Sequence, residues 1–267
     1  AEPCADMIRQ YPEHVVGSKS AHYGGPGWEA AQGGIDAARM SDTITMVDFA
    51  PQETRSYAVL VSERMAPGDI HTPLYAAHIP LLDYDRKVND YVWKARERGV
   101  IFDTGHGAGS FWFRIAVPAM EQGFQPDTIS TDLHMGNVNG HVHSMLDTMS
   151  KCIAMGMPLQ EVIYRSTVTP ARALRRPQLG SLSIGAEADI AILGVLQGNF
   201  CYRDCGWGVL ESDYRLECAL TLRAGQVVWD RHGLTCPHFT QAPADSGYWD
   251  LPETPVSVPR LWRADDE

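Results

Sequence analysis

The sequence predicts an α/β fold: a parallel sheet flanked by helices, read as part of a (β/α) barrel, followed by a small β module. Two observations lead there. Short apolar strand candidates alternate with amphipathic helical stretches at a period of about 25–30 residues, the size of a βα unit. The polar residues Lys19, Asp48, Thr72, His106 and Asp132 sit at or just past the C-terminal ends of those strands. Barrel enzymes and open α/β sheets both gather their chemistry at that end.

The strand candidates are residues 15–19, 44–49, 69–72, 100–104 and 128–132, each short, rich in Val, Ile, Thr or Phe, and followed by Gly, Pro, Ser or Asn. Between and after them lie helical stretches at 28–40, 55–65, 87–98, 113–122 and 142–155. In the third, Val88, Tyr91, Val92 and Ala95 recur at i, i+3, i+4 and i+7, the stripe of a helix lying on a sheet. Repeated βα units imply a parallel sheet with right-handed crossovers. Both a doubly wound sheet and a barrel meet that pattern, but no glycine-rich nucleotide fingerprint follows the first strand, which speaks against the former. A barrel takes eight strands, and five on their own leave two open edges. The expectation is that three further units precede Ala1, or that a partner chain, as in a homo-oligomer, covers the edges.

After Pro177 the texture changes. Residues 179–193 alternate, turn at glycine and then run apolar. Residues 218–222 and 226–229, joined by Arg223-Ala224-Gly225, read as a hairpin. The expected division is therefore 1–176 for the barrel part, 177–240 for a small β domain and 241–267 for an extended tail.

The chain has 267 residues, 44% of them apolar and 21% charged, which suits one large domain with a small one. A net charge of −11 argues against nucleic acid as a partner. No apolar run approaches the roughly 20 residues of a membrane helix, so no membrane partner is expected. The opening AEPCADMIRQ has no basic segment ahead of an apolar one, and both a cytoplasmic location and export after loss of a leader stay open. Six cysteines are too sparse for a disulfide scaffold, and Cys201, Cys205 and Cys218 match no common zinc-finger spacing.

Asp132 ends the stretch Thr128-Ile-Ser-Thr-Asp-Leu-His134. A carboxylate there can bind a metal and take a proton from water, or simply cap a helix. His106 stands among Gly105, Gly107 and Gly109, which let backbone approach a ligand closely. It reads as a metal ligand, a substrate contact or a proton carrier, against an exposed turn histidine. Lys19 ends the first strand; in a poorly solvated barrel mouth its neutral amine can take up carbon dioxide to give a metal-bridging carbamate, against a plain solvated lysine. His22, His71, His78, His134, His141 and His143 lie near the same face, although a lone strand histidine such as His71 is more often a core residue.

Together the segments 17–23 (GSKSAHY), 46–49 (MVDF), 67–72 (PGDIHT), 99–111 (GVIFDTGHGAGSF), 126–134 (PDTISTDLH), 165–172 (RSTVTPAR) and 180–189 (GSLSIGAEAD) resemble the amidohydrolase superfamily, in particular its dihydroorotase-like amidohydrolase/deacetylase group. The resemblance implies strands four to eight of a (β/α)8 TIM-type barrel, re-entering a small β-sandwich at 180–189. It implies one or two divalent metals, usually zinc, and hydrolysis of an amide, cyclic amide or ester in a small-molecule substrate. On the matching positions Lys19 is the carboxylated bridging ligand, and Asp132 is ligand and general base. His106 is substrate-facing, with His22, Gly107 and His134 completing the substrate-binding set. The chain departs from the family at two ligand positions. Asp48 stands where strand five carries a histidine, and can ligate through oxygen. Strand six usually reads threonine-histidine and here reads Thr72-Pro73; His71, one pleat deeper, is then the stand-in. The expected metal set is thus Lys19, Asp48, His71 and Asp132, in a metal-dependent amidohydrolase weakened by Pro73 and by the three absent units. The rival expectation is a non-catalytic relative acting as a binding protein.

Overall fold

Strands β1 (Gly17–Ser20), β2 (Ile44–Asp48), β3 (Ile70–Thr72) and β4 (Ile101–Phe102) lie parallel in the order β1-β2-β3-β4. They belong to a computed structural model that describes residues 1–242. A doubly wound sheet reverses its strand order at a switch point; this one steps one way throughout. A parallel bridge between Asp103 and Thr128 carries the same step once more, to a fifth segment.

Helix α1 (Glu2–Gln10) precedes the sheet, and α2 (Glu29–Met40) crosses from β1 to β2. Next, α3 (Tyr57–Val59) runs on into a π-helical turn, Leu60–Arg64, before β3; α4 (Asp90–Glu97) leads to β4 and α5 (Phe113–Glu121) follows it. In α2 the buried residues Ala31, Ile35 and Ala38 recur at i, i+4 and i+7, and in α4 the stripe read from sequence buries Val92 and Ala95. Ala31, Val92 and Ala95 of these faces join Val47, Phe49, Tyr57, Phe102 and Phe124 in the main apolar core.

Two carboxylates fasten this layer. Asp69 accepts from Arg39 Nη1 (3.2 Å), Thr45 N (3.3 Å) and Ala66 N (2.8 Å), so one buried side chain joins α2, β2 and the turn into β3. Asp127 accepts from Phe102 N at 2.8 Å and Arg96 Nη2 at 3.3 Å.

The expected strand at 100–104 shortens to Ile101–Phe102, and that at 128–132 shrinks to the single bridge. The backbone still pairs: Thr104 N donates to Thr128 O at 3.0 Å and Gly107 N to Thr131 O at 3.0 Å. Gly105 and Gly107 sit at φ +48 and +55, however, which breaks the pleat.

Beyond α6 (Met145–Ala154), α7 (Leu159–Ser166) and α8 (Val168–Ala173) comes a three-stranded antiparallel sheet, β5 (Ile190–Arg203), β6 (Val209–Arg223) and β7 (Gln226–Asp230). The hairpin expected at 218–222 and 226–229 is the β6–β7 pair, with Thr221 opposite Trp229. Residues 179–189, expected to open the β module as alternating strand, form turns and loops, and strand begins at Ile190. The sheet leans on α6: Leu216 N donates to Ser150 Oγ at 3.0 Å, and Tyr202 and Leu216 join the main core. The extended tail expected at 241–267 lies, past Ala242, outside the described residues. No described helix is long and apolar enough to cross a membrane.

Asp69→Ala strands a guanidinium and two amides at once. We expect it to lower the unfolding free energy by about 3 kcal/mol, read from urea unfolding curves.

Candidate active site

At the C-terminal ends of the parallel strands opens a cleft of about 370 Å³, lined among others by Lys19, His22, Asp48, Thr72, Pro73, His78, Asp103, Ser130 and Asp132. Strand alternation aims the side chains. Met46 and Asp48 line the cleft while Val47 between them is buried. By the same rule Thr72 faces the cleft and His71 does not.

Asp48 ends β2 partly out of water. His22 Nε2 lies 3.3 Å from its Oδ2. Burial pushes the Asp48 carboxyl above its ordinary value and the Asp132 charge adds to this, while His22 and Lys19 pull it down. Asp132 is exposed to the cleft at φ +46, and its carbonyl accepts from Asn137 Nδ2 at 2.9 Å. Lys19 is exposed on β1, so the poor solvation expected of it is not found. Asp103, which the sequence reading did not single out, forms part of the cleft wall: it accepts from Thr72 Oγ1 (3.0 Å), Ser130 Oγ (2.6 Å) and Thr128 Oγ1 (2.6 Å). His78 also lines the cleft, its Nε2 3.2 Å from the Phe49 carbonyl.

Glycine is required at two points of the loop after β4. A Cβ on Gly105 would strike Thr72 Oγ1, and one on Gly107 would come within 2.8 Å of Asp132 Oδ2. That loop is one wall of the Asp132 position.

Three of the expected site residues lie elsewhere. His71 belongs to the core, its ring 4.9 Å from Tyr57 and 5.7 Å from Phe102, with neither nitrogen hydrogen-bonded. It does not stand in for the ligand that Pro73 lacks, because alternation turns it to the opposite face of the sheet. Burial holds its pKa down to about 3. His106 is buried behind the glycine loop, not in the cleft. His134 is exposed beside the cleft, its Nδ1 accepting from Gly136 N at 3.0 Å.

Lys19, Asp48, Asp132 and His22 thus meet at one cleft. Their amine, carboxylate and imidazole donors suit zinc or another divalent ion, and two carboxylates lining one cleft, one of them raised by burial and by the other's charge, gain from a nearby cation. A second donor group, His106, His141 and Cys205, offers ligand atoms within 4.8 Å of one another.

Residues 113–211 match the amidohydrolase family model. A deacetylase of Enterococcus faecalis is 38% identical over 212 residues, covering 70% of this chain and 53% of that protein. A deacetylase of Brucella anthropi is 29% identical over 195 residues, covering 70% and 47%. The chain therefore spans about half the length of these curated relatives. An adenine deaminase crystal structure superposes with a TM-score of 0.79 at 26% identity, covering 85% of this chain and 63% of that one. A dihydroorotase structure is alike in fold, with a TM-score of 0.71 at 24% identity over 84% and 60%.

His71 makes acid stability testable. Its ring stays neutral in the folded protein down to about pH 3, whereas in the unfolded chain it titrates near 6.5. Stability from this residue is complete above that value and is lost as pH falls toward 3. Urea midpoints of His71→Phe, which keeps a ring in the aromatic cage, should gain on the wild type progressively between about pH 6.5 and 4. Parallel curves would refute the assignment.

Proposed function

The chain belongs to the amidohydrolase superfamily, and on that footing we propose that it forms the C-terminal part of a metal-dependent hydrolase of amide bonds, of deacetylase type, acting on a small molecule. The observation that carries this reading is the meeting of Lys19, Asp48 and Asp132 in one cleft at the C-terminal ends of parallel strands. In this reading the strands are the second half of a (β/α)8 barrel spanning 1–176, supported by their one-way order. Residues 177–240 are a small β domain.

Lys19, as the amine or its carbamate, Asp48 and Asp132 would hold the ion, with zinc the choice their donors favour. When bound, it supplies Lewis acidity for the carbonyl and for water. Asp132, open to the cleft, takes the proton from the attacking water and returns it to the leaving nitrogen. His22, exposed at the lip, is placed to hydrogen-bond the substrate and to keep Asp48 oriented. The loop 105–107 packs close to Thr72 and Asp132 and leaves room for nothing larger than a glycine at 105 and 107. Asp103 is hydrogen-bonded to three hydroxyls and serves to shape the wall rather than to exchange protons.

The test is acetate release from a panel of N-acetylated amines by zinc-loaded protein, together with metal analysis. We expect hydrolysis that chelation abolishes and that Asp132→Asn lowers by about 100-fold or more, with protein that stays folded. Hydrolysis that survives both treatments would refute the reading. A folded protein that holds no metal and releases no acetate would leave a non-catalytic relative.

A further inference from the structure

Behind the glycine loop, away from the cleft, the His106 ring lies flat on Phe111 at 4.5 Å and stacks on His141 at 5.6 Å. Cys205 Sγ is 3.1 Å from His141 Nε2. Two imidazoles and a thiol at this spacing read as a tetrahedral metal site. The cluster already contains a cation, however. The side chain of Lys151, 1% exposed, places Nζ 3.0 Å from His106 Nε2 and 2.9 Å from Asp147 Oδ2, and bonds the His141 carbonyl as well. An ammonium has three protons and no lone pair; here it hydrogen-bonds the imidazole and the carbonyl and pairs as an ion with the Asp147 carboxylate. His106 Nδ1 faces the Gly107 carbonyl at 3.1 Å, so the proton resides there and the Nε2 lone pair is left for the lysine. A metal ion on Nε2 would displace the lysine, one on Nδ1 would displace the proton shared with Gly107 O, and either would add a second positive charge close to the first in a site poor in water.

We propose that Lys151 is the resident cation of this cluster in place of a metal, and that it is a positioning residue fixing the glycine loop against Asp132. The link is continuous. Lys151 fixes the His106 ring. The His106 and Gly107 amides donate to Ser130 O (3.4 Å) and Thr131 O (3.0 Å), and Gly105 N donates to Ser130 Oγ (3.2 Å). Gly107 in turn borders Asp132. Without the ammonium, His106 keeps a buried acceptor with no donor, and the ring loses its reason to hold the loop. Burial and the Lys151 charge hold His106 down to about 3, in keeping with a neutral, accepting ring.

The effect on turnover rests on the hydrolase reading; the following readouts do not. Hydrogen exchange on the full chain should show the Gly105 and Gly107 amides opening about tenfold faster in Lys151→Met and in Asp147→Asn, with the amides of α5 unchanged. Asp147→Asn keeps the lysine and the local shape, and so decides the matter if Lys151→Met does not fold. Unchanged exchange at both glycines in a folded variant overturns the positioning role. Titration of the wild type with cobalt(II) should give no sulfur-to-cobalt absorption; such a band, lost in Cys205→Ser, overturns the claim that lysine takes the metal's place.

Discussion

The carboxylate of Asp103, 3% exposed, sits where three parallel segments meet and binds a hydroxyl from β3 and two from the 128–130 segment. A buried carboxylate is costly unless its lone pairs are filled, and here hydroxyl donors fill them at 2.6–3.0 Å. Burial still pushes the carboxyl up, with those three hydroxyls opposing it. The cleft depends on this arrangement. Thr128 and Ser130 both reach the same carboxylate, which fixes the face their segment presents just before Asp132 turns into the cleft at φ +46. Thr72, tied to the same group, sets the orientation of the end of β3 and thereby brings Pro73 into the cleft wall.

That constraint explains which parts of the molecule were legible in the sequence. Hydrophobic periodicity located every βα unit, because a stripe such as Val92 and Ala95 has to bury itself wherever the sheet lies. It also located Lys19, Asp48 and Asp132, since strand ends are marked by the change from apolar to polar. It did not locate Asp103, one of 33 acidic residues, whose role depends on three hydroxyls that come from other strands. His71 was misplaced for a simpler reason. It was expected to share the face of Pro73, one pleat deeper, but β3 ends at Thr72, so alternation does not carry through to Pro73. The neighbouring Thr72 is bonded toward Asp103, so His71 has to face Tyr57 and Phe102.

The β module shows a different limit. Its arms are 14 and 15 residues long, and the β5–β6 ladder shifts register between Ile192 and Leu193 and again between Gln197 and Phe200. Each shift disturbs the alternation that would reveal a strand; the β6–β7 end, which shifts once as well, was legible through its short Arg223-Ala224-Gly225 turn between two apolar runs. Lys151 was hidden by the general expectation that a helical lysine faces water. Nothing local in Met145–Ala154 signals that Asp147, one turn away, and two histidines from distant segments will enclose it.

Two groups of ligand-type side chains are therefore present, and charge balance separates them. In the cleft, the carboxylates of Asp48 and Asp132 outnumber the one exposed lysine, and burial works against ionisation of Asp48, so an added cation is favoured by both carboxylates and opposed only by Lys19 in its charged form. Behind the loop, the ammonium of Lys151 is matched by a carboxylate, a carbonyl and an imidazole, so an added cation meets a positive charge already balanced. Counting donors within reach ranks the second group above the first. Adding the charge already present reverses that order. In the proposed hydrolase the cleft then remains as the place for a metal, and the histidine cluster is the proposed support that keeps its wall in register.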